Sequence, residues 1–99
     1  MLEPAATINL QVELFGLSRL RSGRREVVLS LTPQTSRQEV IRALAEACPI
    51  LIGQALRNDL SDLQDGYVFN HNGTAFLSDD RLYFQSGDIL FLLSNQAGG

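Results

Sequence analysis

Residues 32–49 read TPQTSRQEVIRALAEACP, and the placement of this one helix decides the fold. Ser36 and Glu39 have the spacing of a capping box, in which each side chain satisfies an orphan amide at the helix start. Val40, Ile41, Leu44, Ala47 and Cys48 fall on one stripe, while Arg37, Gln38, Arg42 and Glu46 face water. Pro49 cannot continue the hydrogen-bond ladder, so the helix stops about there. It is the one long helix of the chain, and most of what surrounds it has the period of a strand.

Upstream, TINLQVELF (7–15) alternates, with Ile8, Leu10, Val12 and Leu14 on one side and Asn9, Gln11 and Glu13 on the other. Gly16 ends the clean pattern. LSRLRSGRR (17–25) reads as a loop with Ser22-Gly23 as its turn signal. REVVLSLT (25–32) is a second strand with Val27, Leu29 and Leu31 inward, so the two strands form a hairpin. Downstream, ILIGQAL (50–56) is a short helix or a packed connector, and RNDLSDLQDG (57–66) is loop-like. Tyr67, Val68 and Phe69 lead into Asn70-His71-Asn72-Gly73, whose Asn-Gly pair is a hairpin turn signal, and Thr74 to Leu77 return. SDDRLYFQSGD (78–88) is a loop holding the apolar piece Leu82-Tyr83-Phe84, and Gly87-Asp88 turns into a final strand, Ile89 to Leu93.

The order is β-β-α-β-β-β. This predicts an α+β domain of the β-grasp kind, a mixed sheet of about five strands with one main helix across one face. The first and last strands pair in parallel at the centre of that sheet. Residues 1–6 are an N-terminal extension, 7–93 the domain, and 94–99 a flexible tail ending in Gly-Gly.

Composition narrows the function. Ninety-nine residues, 44% of them apolar, make one globular domain with one core. A net charge of −3 and a pI of about 4.9 argue against a protein that holds nucleic-acid phosphates. A single cysteine, Cys48, fits a reducing, cytoplasmic setting. The start MLEPAATINL does not read as a signal peptide, and the apolar run Ile89 to Leu93 is far short of a membrane span. No lysine is present; all eight basic residues are arginine, four of them (Arg19, Arg21, Arg24, Arg25) in the 17–25 stretch. Codon bias accounts for this, and so does protection of a chain whose activated end would otherwise acylate its own lysines. The four-arginine run reads as a solvated loop or as a surface for an acidic partner.

Familiar catalytic and metal constellations do not form. His71 is the only histidine and sits in a turn, and Cys48 is a small buried hydrophobe of the helix stripe. One Cys and one His make no metal-ligand cluster. Asp79-Asp80 and Asp88 are loop acids, which are ordinarily solvated. There is no phosphate-binding glycine loop, so any ATP chemistry belongs to a partner.

Two features remain. The last strand is apolar on both faces, with Ile89, Phe91 and Leu93 one way and Leu90 and Leu92 the other. That pattern means burial on both faces, with the 50–64 segment covering the second, or an exposed docking patch. Beyond Leu93 no hydrophobic residue larger than alanine follows, and six extended residues reach roughly 20 Å. Gly98 and Gly99 have no Cβ, so such an end threads a narrow channel and presents an unobstructed carboxylate.

The chain resembles the MoaD/ThiS family of ubiquitin-like sulfur carriers. The resemblance rests on INLQVELFG, the capped helix SRQEVIRALAEA, the hairpin VFNHNGT, the segment SGDILFLL and the terminal GG, over about residues 7–99. It implies that an E1-like adenylating enzyme, using ATP and Mg, forms an acyl-adenylate on Gly99. A sulfur donor then displaces AMP to leave a thiocarboxylate. In the favoured MoaD-like branch the sulfur passes to a molybdopterin precursor held by a large molybdopterin synthase subunit. In the ThiS-like branch it passes to the thiazole of thiamine. The chain would then be a carrier or small subunit rather than an enzyme, with no cofactor, metal, nucleic acid or membrane of its own. Gly98 and Gly99 are the reacting end, and Phe91, Leu93 and Ala97 are candidate partner contacts. Two alternatives stay open: a ubiquitin-like modifier joined through Gly99 to lysines of other proteins, and an interaction module whose glycines are incidental.

Overall fold

A computed structural model describes residues 7–76 and 81–94 of the chain. In chain order its elements are β1 (Ile8–Leu14), α1 (Gly16–Ser22), β2 (Glu26–Leu31), β3 (Gln34–Ser36), α2 (Arg37–Ala47), a single 3₁₀ turn (Pro49–Leu51), β4 (Tyr67–His71), β5 (Ala75–Phe76), β6 (Arg81–Tyr83) and β7 (Ile89–Ser94). Five strands form one mixed sheet in the order β2-β1-β7-β4-β5, and β3 and β6 form a small second sheet. β7 lies at the centre. It runs parallel to β1, with Val12 opposite Leu90 and Leu14 opposite Leu92, and antiparallel to β4, with Phe69 opposite Leu92.

The core follows from strand alternation. Leu10, Val12 and Leu14 of β1, Val27 and Leu29 of β2, Phe69 of β4 and Leu90 and Leu92 of β7 are all buried. Val40, Ile41 and Leu44 of α2 join them in one cluster. The connector adds Leu51, Ala55, Leu56 and Leu63 to that same cluster. It therefore packs with α2 and does not cover the far face of β7.

Ser36 caps α2 as its spacing predicts, accepting a hydrogen bond from the Glu39 amide at 3.0 Å. The box closes differently: the Glu39 carboxylate accepts from the Thr35 hydroxyl at 2.9 Å. At the other end the Cys48 amide donates to Leu44 O, and Arg24 Nη1 donates to Ala47 O at 3.0 Å. The buried small residue of the stripe is Ala45, whereas Ala47 is exposed, because the apolar face of this helix runs through 40, 41, 44 and 45.

Other expectations need correction. Residues 16–22 are a helix and not a hairpin loop, so β1 and β2 are joined through α1. Gly23, expected to mark a turn, ends that helix in the left-handed conformation at φ 68° and donates its amide to Arg19 O. The apolar piece 82–84 is no mere loop, since β6 pairs with β3 and the Phe84 amide donates to Pro33 O at 2.8 Å. The hairpin after Asn72-Gly73 returns as Ala75–Phe76, and Leu77 lies outside the described residues. The last strand extends one residue further, through Ser94.

The start of β7 is pinned to the β4–β5 turn. His71 Nε2 lies 2.9 Å from Asp88 Oδ2, Asn72 Nδ2 donates to Asp88 Oδ1 at 3.2 Å, and the Gln85 amide donates to Asp88 Oδ2 at 2.9 Å. Asn72 Oδ1 in turn accepts from the Ile89 amide at 2.8 Å. His71 is thus a structural residue, and it closes β4 rather than sitting in the turn as expected, with its ring edge-on to Phe84 at 5.0 Å. Burial would raise the Asp88 carboxyl, but the hydrogen bonds from Gln85, His71 and Asn72 outweigh it and hold the group below its ordinary value.

Two outcomes follow. Ser36→Ala should cost about 1 kcal/mol in urea unfolding with an unchanged slope. An unaltered midpoint would show that Ser36 adds nothing as a cap. Because the Asp88 carboxyl is depressed in the folded state, its contribution is present above roughly pH 4 and is lost as pH falls through the folded value. Melting temperatures recorded from neutral pH into acid should therefore fall less steeply for Asp88→Asn than for wild type. Parallel curves would contradict the clamp.

Candidate functional site

The face of β7 turned away from the core carries Ile89, Phe91 and Leu93, all half-buried. Residues paired across neighbouring strands share a face. Val68 of β4 stands opposite Leu93, Asn70 opposite Phe91, and Gln11 and Glu13 of β1 opposite Ile89 and Phe91. One strand further, Val28 of β2 pairs with Gln11 and is 56% exposed. The open face is thus an apolar band, Val28, Ile89, Phe91, Leu93 and Val68, interrupted by the polar row of β1.

Phe91 is the fixed point of this band. Phe15, leaving the end of β1, sets its ring 5.8 Å from that of Phe91 at an interplanar angle of 55°. The Arg19 guanidinium lies 5.3 Å from the Phe15 ring centroid and donates from Nε to Leu14 O at 3.0 Å. From the other side the β4–β5 turn backs onto the ring. Gly73 has φ 76°, and a Cβ there would lie 3.6 Å from Phe91 Cε2. Asn70, beside Phe91 in the register, is buried, and its Oδ1 has no hydrogen-bond partner. A cavity of about 290 Å³ is lined by Glu13, Arg19, Arg25 and Glu26. Glu13 and Glu26 face each other across the strand pair, and Arg19 and Arg25 line the same cavity.

β7 ends at Ser94, opposite Tyr67. The Tyr67 hydroxyl accepts from Gln54 Nε2 at 2.6 Å, and Gln54 Oε1 accepts from the hydroxyl of the buried Ser18 at 2.9 Å. α1, the connector and β4 are therefore tied together where the chain leaves the sheet.

The expected partner contacts Phe91 and Leu93 do lie together on the open face. Ala97, Gly98 and Gly99 lie outside the described residues, as do Asp79 and Asp80. The four-arginine run divides its work. Arg19 braces Phe15, Arg24 caps α2, Arg25 lines the polar cavity, and Arg21 is exposed. What sequence reasoning missed here is α1 and its Ser18-Gln54-Tyr67 chain. The available signal was Leu17 and Leu20 at helical spacing ahead of Gly23. Among the described residues no helix is long and apolar enough to cross a membrane.

Solved structures share this architecture. SAMP1 from Haloferax volcanii matches with a TM-score of 0.76 at 23% identity, over 92% of this chain and 99% of that one. The small archaeal modifier protein 1 (SAMP1) from Methanosarcina acetivorans matches at 0.73 and 19% identity, over 96% and 100%. The HVO 2177 protein of Haloferax volcanii matches at 0.71 and 18% identity, over 98% and 92%. No protein-family model matches the chain, and no curated protein matches it by sequence. The central parallel β1–β7 pair, the crossing helix α2 and these likenesses together make the fold a ubiquitin-like β-grasp.

Proposed function

We propose that the chain is a ubiquitin-like modifier that acts through the carboxylate of Gly99. The observation that carries this reading is the course of β7. The central strand presents Phe91 and Leu93 on an open face and then leads directly into the segment ending in Ala97, Gly98 and Gly99. A partner can grip the band and receive the end in one continuous contact. Two of the proteins that share the fold carry the name small archaeal modifier protein 1, which supports the same reading.

The partner is an E1-like adenylating enzyme, and ATP and Mg²⁺ are its cofactors. A Gly99 carboxylate oxygen attacks the α-phosphorus of ATP, pyrophosphate leaves, and an acyl-adenylate results. A lysine ε-amine of a target protein then attacks the carbonyl carbon. The C–O bond to AMP breaks, the amine gives up a proton, and an isopeptide bond remains. This chain supplies no acid or base and is a cosubstrate working in the cytoplasm. Its lack of lysine suits the chemistry, because activated copies find no side-chain amine on one another.

A second reading, sulfur carriage, is favoured by the MoaD/ThiS-like segments INLQVELFG and SGDILFLL and the terminal GG. It diverges after adenylation, when a sulfur donor displaces AMP and leaves a thiocarboxylate. A molybdopterin precursor on a large synthase subunit is then one acceptor and the thiazole of thiamine another.

Mass spectrometry separates the readings. The chain is incubated with an adenylating enzyme, ATP, Mg²⁺ and a lysine-bearing target, with and without a sulfur donor. Trypsin cuts this sequence last after Arg81, so a conjugated target lysine should carry LYFQSGDILFLLSNQAGG. Deleting Gly99 should abolish that product and leave the melting temperature unchanged. A single oxygen-for-sulfur exchange at Gly99 without conjugates would move the assignment to the carrier. Activation that survives the deletion would overturn both.

A further inference from the structure

We propose that a groove between α1 and the connector is a docking site for a partner segment in which an aliphatic side chain neighbours a carboxylate. The groove has a volume of about 480 Å³ and is lined by Leu17, Arg21, Ile50, Ile52, Gly53 and Gln54. Large hydrophobics that are exposed among the described residues are few, and two of the five line the groove: Ile50 at 53% and Ile52 at 39%. Scattered exposed apolar residues are ordinary, but a concave cluster marks an interaction surface.

Charge selects the occupant. The chain is acidic, with eleven carboxylate side chains against eight arginines, yet among the described residues the groove is lined by a cation and no anion. Arg21 makes no hydrogen bond or ion pair among the described residues, unlike Arg19 and Arg24 of the same stretch. A purely apolar segment laid in the groove would strip water from that guanidinium and leave it uncompensated, which is costly. A segment with Asp or Glu beside Ile, Leu or Val satisfies both the apolar wall and the cation. Gln54 lines the groove and also holds Tyr67, the partner of Ser94, so the occupant binds next to where the chain leaves the sheet. This site is separate from the open face and does not rest on the acyl-transfer reading.

The test is a nuclear magnetic resonance titration of the isotope-labelled full chain with the blocked peptide Asp-Glu-Val-Ile-Leu. Its Asn-Gln-Val-Ile-Leu counterpart is the control. Saturable shifts are expected at the amides of Leu17, Arg21, Ile52 and Gly53. The control peptide and the Arg21→Ala variant should each bind about fivefold more weakly, the order expected of one partly exposed charge pair. Ile50→Ser should weaken binding with the melting temperature unchanged, since Ile50 is outside the core. Equal affinity for the two peptides, shifts confined to Val28, Ile89, Phe91 and Leu93, or no binding up to about 5 mM would overturn the proposal. So would groove shifts that appear with protein concentration alone, which assign the groove to a second copy. Groove shifts on truncation after Ser94, which assign it to the chain's own end, would overturn it equally.

Discussion

The parallel pairing of β7 with β1 is the constraint on which the rest of this molecule depends. It joins the two ends of the domain, so the closing contact spans nearly the whole chain. It also sets the register of everything else. With Leu14 opposite Leu92, Leu90 and Leu92 must point to α2, and Ile89, Phe91 and Leu93 must point away. A slip of one residue would exchange those sets and put Phe91 into the core. The clamp of His71, Asn72 and Asp88 at the start of β7 works against such a slip. An apolar band on the open face is thus a direct consequence of a central strand that is hydrophobic throughout.

The open face is only partly open. Phe15, braced by Arg19, covers one side of Phe91, and the Gly73 turn covers another. Phe91 is held in one place, while Leu93 and Val68 flank it on the way to Ser94. A rigid aromatic ring with aliphatic neighbours is the composition that protein interfaces use at their centres. At the far end, Ser18, Gln54 and Tyr67 fix the exit of the chain relative to α1.

Much of this was legible in the sequence, and the exceptions have physical reasons. The alternation of β1 and β2, the Ser36 cap and the Asn-Gly turn are local signals, and each holds. So does the central parallel pair, which only the order of elements suggested. α1 escaped because seven residues with two leucines span barely two turns, too short for a period to emerge. Its arginines mimic a solvated loop, yet Arg19 and Arg24 are spent on backbone carbonyls. β3 and β6 are three residues each and pair only with each other, so no alternation marks them. On α2, Ala45 and Ala47 are indistinguishable by type, and a small angular difference decides which is buried. The two-faced strand was legible as a pattern, but which face stayed open depended on where the connector packs. The assignment of Gly98 and Gly99 as the reacting end is a proposal that rests on the sequence alone.

The central claim is that the apolar band of β7 and the glycine end form one surface for an activating enzyme. Methyl nuclear magnetic resonance of the chain bound to such an enzyme in the presence of ATP tests it most directly. The account predicts that the methyl signals of Val28, Val68, Ile89 and Leu93 shift or broaden on binding, while those of the buried Leu10, Leu44 and Leu90 hold their positions. An enzyme that adenylates the chain while the Val68, Ile89 and Leu93 signals stay unmoved would contradict it.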